Sequence, residues 1–121
     1  MTRAVLFGIL LVTATLPARA GERISLKISP AVAFAPANLI VRTMIEADAH
    51  NRAVEIVAES EDFYRSSEIQ LDGAHAPRTT TFEFRSLPPG TYEVKALLLG
   101  SDGALLATVR QQMNVIATGS H

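Results

Sequence analysis

His50, His75 and His121, together with Met44 and Met113, are the side chains in this sequence best suited to metal chemistry, copper above all. Their spacing does not assemble a ligand set. No two histidines stand at i, i+2 or i, i+4, and a blue-copper centre would need a cysteine, which the chain lacks. His50 and His75 fall among turn residues, where a solvated imidazole is the ordinary expectation. Met44 lies on an otherwise polar face, and Met113 reads as core filler. No metal site and no cofactor are expected, and a small periplasmic copper-handling protein with His and Met ligands is the alternative reading.

Acidic residues gather at Glu59, Glu61 and Asp62, and Asp48 and Asp72 could join them. Calcium asks for about six to eight oxygens, usually from a regular Asp/Asn/Gly loop. The sequence shows no such loop. A solvated acidic edge that opposes sheet-to-sheet aggregation is the simpler reading. Ser66, Asp72 and His75 can be written as a triad, but so can three residues in most chains of this length. There is no Gly-x-Ser-x-Gly elbow, His-Glu-x-x-His pair or phosphate loop. The chain is expected not to be an enzyme.

Two groups suit protein contact instead. Phe63, Tyr64 and Arg65 stand together in the connection after the third strand, and Tyr and Arg are enriched where interfaces are tightest. The competing reading is that Phe63 caps the core while Tyr64 covers a loop. The second group follows from strand parity. If Tyr92, Val94, Ala96 and Leu98 face the core, then Leu97 and Leu99 face out. Val57 and Ile116 would join them in an exposed apolar patch of the kind that marks partner surfaces. Either the segment Val32 to Ala35 or a bulge could cover that patch.

Positioning these groups requires a fold, and period-2 alternation dominates the chain. Ile24, Leu26 and Ile28 alternate with polar residues and stop at Pro30. Leu39, Val41, Thr43, Ile45 and Ala47 form a second strand, and Val54, Ile56 and Ala58 a third. Ile69 with Leu71, Phe82 with Phe84, Tyr92 to Leu98 and Leu105 to Ile116 supply four more. Asp48-Ala49-His50-Asn51, Asp72-Gly73 and Gly100-Ser101-Asp102-Gly103 carry turn chemistry. Seven short strands separated by turns predict an all-β, single seven-stranded antiparallel immunoglobulin-like sandwich spanning residues 21–117.

The first twenty residues are read separately. Met1-Thr2-Arg3, an apolar run from Ala4 to Leu16 and the exit Ala18-Arg19-Ala20 form a signal-peptide pattern, with cleavage expected after Ala20. A run of thirteen residues falls short of the roughly 20 apolar residues that span a bilayer, so no anchor is expected. The protein is expected to be exported, to the periplasm or the medium. Residues 118–121 are read as a disordered tail. Before cleavage the 121 residues carry 12 acidic and 11 basic side chains. Losing Arg3 and Arg19 leaves 9 basic against 12 acidic. That balance speaks against nucleic-acid binding, which favours a basic face. Without cysteine, no disulfide can reinforce a domain of about 100 residues.

Leu87-Pro88-Pro89-Gly90-Thr91-Tyr92-Glu93-Val94 is the most specific stretch. A leucine closes one strand, a Pro-Gly corner crosses between sheets, and Tyr92 opens the next strand. In such a tyrosine corner the hydroxyl bonds backbone a few residues upstream. On these residues the chain resembles bacterial secreted immunoglobulin-like and fibronectin type III-like domains. With Phe82 and Phe84, the corner is also similar to that of carboxypeptidase regulatory-like (transthyretin-like) domains. These families are mostly non-catalytic, so the resemblance implies a binding, spacing or stabilising module, and the expected partner is another protein or an envelope component.

Overall fold

A strand whose apolar residues alternate with polar ones has one face for a core and one for water. Two such sheets stack here. The computed structural model describes residues 19–20 and 23–118. Eight strands of three or more residues accompany a two-residue one. They are β1 (Arg19–Ala20), β2 (Ile24–Ser29), β3 (Val32–Phe34), β4 (Ala37–Ile45), β5 (Ala53–Glu59), β6 (Tyr64–Gln70), β7 (Thr79–Leu87), β8 (Gly90–Leu99) and β9 (Leu105–Ile116). One sheet runs β1-β2-β4-β7 and the other β3-β9-β8-β5-β6. β3 pairs parallel to β9, and the other pairings are antiparallel.

The all-β sandwich is as expected, but the count of seven strands is corrected. β3 is the addition. Pro30 and Pro36 bracket Val32–Phe34, and proline cannot donate to a ladder. The chain therefore leaves the first sheet at Pro30, joins the second beside β9, and returns at Pro36 to start β4. A second correction concerns Tyr64 to Ser67. These residues begin β6 and are not part of a connection.

The core is filled from both sheets. Ile24, Leu26, Leu39, Val41, Phe82 and Phe84 meet Val54, Ile56, Val94, Ala96, Leu98 and Met113, all buried. Gln111 points inward from β9, and its Nε2 donates to the Leu26 carbonyl at 2.8 Å, tying the sheets together. Tyr92 is fully buried, and its hydroxyl donates to the Pro88 carbonyl at 2.7 Å. The corner therefore forms as its sequence predicted. Opposite it, β4 and β7 slip register between Ala37 and Leu39. Ser86 takes a left-handed φ of 60° in this bulge, and its N–H donates to Asn38 Oδ1 at 3.1 Å.

The expected signal peptide lies largely outside the described residues. Arg19–Ala20 does pair with Ile24 and Ser25, so cleavage after Ala20 would detach β1 and leave that sheet three-stranded. Residues 119–121 of the expected tail also lie outside. Among the described residues, no helix is long and apolar enough to cross a membrane.

Candidate functional site

Strand parity sets which side chains the five-stranded sheet turns outward. Tyr92, Val94, Ala96 and Leu98 are buried, so Thr91, Glu93, Lys95, Leu97 and Leu99 face away from the core. Register then extends each position into a row across the sheet. Glu93 lies opposite Glu59 on β5 and Gln112 on β9. Lys95 lies opposite Val57 and Arg110. Leu97 lies opposite Glu55 and Thr108, and Leu99 opposite Ala53 and Leu105. At the other end Thr91 meets Asn114, which pairs with Val32, and Ile116 pairs with Phe34.

This face therefore has an order along the strands. Val32, Phe34 and Ile116 form one apolar end. An acidic row, Glu59 with Glu93, follows. Next comes a basic row, Lys95 with Arg110. Leu97, Leu99 and Leu105 form the other end. Arg110 reaches diagonally to Glu93 at 3.4 Å, with both side chains substantially exposed. A shallow groove of about 710 Å³ crosses the acidic row, lined by Glu59, Glu61, Thr91, Glu93, Arg110 and Gln112.

The predicted contact residues divide. Phe63 is half-buried, with its ring edge-on to Tyr92 at 6.1 Å and 74°. The Arg65 guanidinium lies 5.1 Å from the Phe63 ring centroid. Its Nη1 donates to the Arg85 carbonyl at 3.1 Å, bridging from β6 to the facing sheet. Both side chains thus brace the open edge of the sandwich. Tyr64 is 60% exposed and Arg65 is exposed as well, so Phe63 alone of the three is half-buried. In the second group, Leu97 and Leu99 face outward but are half-buried. Val57 is a correction: it points outward yet is only 6% exposed, because it is a short side chain between neighbouring ladder rows. Ile116 is exposed as expected. β3 does not cover these residues; it pairs at the β9 edge and extends the face.

Sequence reasoning missed Val32, Phe34 and Leu105. Phe34 is the most exposed large apolar side chain described, at 67%. Ala31, Ala33 and Ala35 surround Val32 and Phe34, so no apolar-polar alternation reveals which of them face water.

The metal and acid candidates scatter. Met113 is buried in the core, and Met44 is exposed on the outer face of the other sheet. His50 donates its backbone N–H to Asp48 Oδ1 at 2.8 Å, and its Nδ1 lies 2.9 Å from the same oxygen. These bonds, the backbone one foremost, hold the Asp48 carboxyl below its usual range, and Arg23 at 3.5 Å adds to them. Asp48 and Asp72 stand at the Ala53 end of β5, whereas Glu59, Glu61 and Asp62 stand at its other end. The seven-residue strand separates them by roughly 20 Å, so Asp48 and Asp72 do not join the Glu59, Glu61 and Asp62 group. Ser66 lies mid-strand on β6, away from Asp72 and His75 in the turn beyond its end. His121 lies outside the described residues. Among the described residues, no three His, Cys, Asp or Glu side chains group as metal ligands.

No protein-family profile matches the sequence, and no curated protein matches it. Solved structures do match in fold. A superoxide reductase (neelaredoxin) from Ignicoccus hospitalis aligns at TM-score 0.61 with 14% identity, covering 78% of this chain and 80% of that one. The sulfur carrier protein SoxY from Chlorobium limicola f thiosulfatophilum aligns at 0.52 with 16% identity, covering 95% and 96%. The CARDB domain of a Pyrococcus furiosus protein, solved with di-metal ions, aligns at 0.51 with 12% identity, covering 86% and 100%. These likenesses correct one expectation. A fold shared with superoxide reductases, which are enzymes, gives no ground for excluding catalysis, so the non-enzymatic reading is withdrawn. The chain is similar in architecture to small immunoglobulin-like and cupredoxin-like β-sandwiches.

Proposed function

We propose that this domain is exported and serves as a binding module, presenting the outer face of its five-stranded sheet to another protein or an envelope component. One observation carries the reading. Of the six large hydrophobic side chains exposed among the described residues, Val32, Phe34, Tyr64, Leu105 and Ile116 belong to that sheet and Met44 to the other. Apolar surface concentrated on one face of a soluble domain is the usual mark of a partner site. Leu97 and Leu99 add half-buried apolar area between its two ends. The signal-peptide pattern of residues 1–20 supports export. The Leu87–Val94 corner supports kinship with fibronectin type III-like and transthyretin-like domains. The copper-handling alternative gains no support from the placement of Met44, Met113, His50 and His75.

Capture of partners from an envelope extract, with wild type beside Leu97→Asp and Tyr64→Ala, tests the assignment. Loss of the captured species in either variant is expected, with Met44→Asp behaving as wild type. Equal recovery by all four proteins would sink the reading.

A further inference from the structure

The outer face of the five-stranded sheet has a charge order that a solvent-facing sheet does not need. Glu93 stands directly opposite Glu59, and Lys95 directly opposite Arg110. Like charges in directly opposed cross-strand positions are destabilising, whereas opposite charges there stabilise by about 0.2–1 kcal/mol. The diagonal Arg110–Glu93 pair relieves one contact. Lys95 and Glu59 form no ion pair among the described residues. Both rows are thus left with unspent charge, one of each sign, on adjacent lines.

We propose that this face binds a second copy of the same chain through a two-fold axis running across the strands, between the Glu59–Glu93 row and the Lys95–Arg110 row. The proposal rests on the reading of this face as a contact surface and names its occupant. A two-fold interface must be self-complementary, each patch meeting the patch that faces it from the partner. Rotation about this axis lays β8 on β8 and β9 on β9 in opposite directions. Glu93 of one copy then lies over Lys95 of the other, twice, with Glu59 and Arg110 one strand to either side of that contact. The same rotation lays Leu105 over Ile116 on β9, twice, while Leu97 on β8 falls over Thr91 of the partner copy. The other in-plane two-fold, along β8, would set Glu93 on Glu93 and Lys95 on Lys95. Charge order therefore selects one of the two. Glu68, on the edge strand β6, falls at the rim, where water screens it, while Glu55 stands on β5 beside Leu97. Face-to-face stacking with strands within about 30° is an established way for two sheets to pack.

Sedimentation velocity over a concentration series tests the proposal with charge-reversed pairs. Wild type is expected to dimerise as concentration rises, and more weakly in high salt. Lys95→Glu/Arg110→Glu and Glu59→Lys/Glu93→Lys should each sediment as monomers while keeping the wild-type circular dichroism spectrum. An equimolar mixture of the two should recover the dimer, because one copy then offers only acids and the other only bases. Recovery on mixing cannot come from misfolded variants. A wild type that stays monomeric throughout, dimers that persist in both variants, or a mixture that stays monomeric would each overturn the proposal. If wild type is monomeric while Leu97→Asp still abolishes capture of another protein, the contact surface stands and only the second copy is removed.

Discussion

Replacing Tyr92 by phenylalanine removes one oxygen from the best-defined feature of the fold. The ring stays buried against Phe63, so the packing term is retained. What goes is the 2.7 Å bond from the hydroxyl to the Pro88 carbonyl. A neutral intramolecular hydrogen bond contributes a net of about 0.5–1.5 kcal/mol. Pro88 is half-buried, so its carbonyl is not deeply stranded when the partner leaves. Tyr92→Phe should therefore cost about 1 kcal/mol, or roughly 4–8 °C in melting temperature for a domain of this size. Tyr92→Ala should cost about 3–5 kcal/mol through the cavity it opens. That is a large share of the 5–15 kcal/mol by which domains are typically stable. Urea unfolding at neutral pH, with unchanged slope, reads both numbers. Phe and wild type unfolding at the same midpoint would refute the reasoning about the corner. The hydroxyl also has a pH signature. Burial raises the Tyr92 pKa above its ordinary 10, outweighing the opposite pull of Ser60 and Arg65. A raised folded-state value means that this contribution is complete below pH 10 and is lost as pH climbs through the folded value. The alkaline loss should be shallower in Tyr92→Phe.

Other consequences follow from backbone and loop geometry. Ser86→Gly should stabilise by about 1 kcal/mol, since left-handed backbone costs a residue with a Cβ about 1–2 kcal/mol and glycine returns part of that as chain entropy; a lower urea midpoint would contradict it. Gly103→Ala and Gly73→Ala both place alanine at positive φ, but only at Gly73 would the new Cβ meet a backbone carbonyl, Ala49 O at 3.1 Å. Gly73→Ala should cost clearly more than the roughly 1–2 kcal/mol expected for Gly103→Ala, and equal melting temperatures would count against the account. Asp48, whose carboxyl is held low by His50, contributes stability that is present above its unfolded value and lost on acidification. Asp48→Asn should flatten the acid limb of the stability profile, and an unchanged limb would remove that contribution.

The sandwich was legible because a buried face imposes period 2, and β2, β4, β5, β8 and β9 all show it over several residues. Tyr92 and its proline-glycine corner were legible because a local motif needs no distant partner. β3 was not, since three residues between prolines carry too little alternation and their partner, β9, lies about eighty residues away. β6 was half-hidden for a different reason. As an edge strand it exposes Tyr64, Ser66, Glu68 and Gln70 and keeps only Ile69 as an apolar anchor. Parity placed Leu97, Leu99 and Val57 on the outer face, but exposure depends on the side chains beside them. Sequence gives direction, whereas cover comes from the neighbouring strands. For the same reason the charge rows of this face emerged only when register aligned β5, β8 and β9.

Site-specific photocrosslinking in cells expressing the protein asks most directly whether the outer face of the five-stranded sheet is the surface in use. A photoreactive residue is placed at Phe34 or, as the control on the other sheet, at Met44; both positions are more than half exposed, so neither should disturb the core. The account predicts a discrete higher-mass adduct from Phe34 and none from Met44. Adducts of equal yield from both positions, or from Met44 alone, would contradict it.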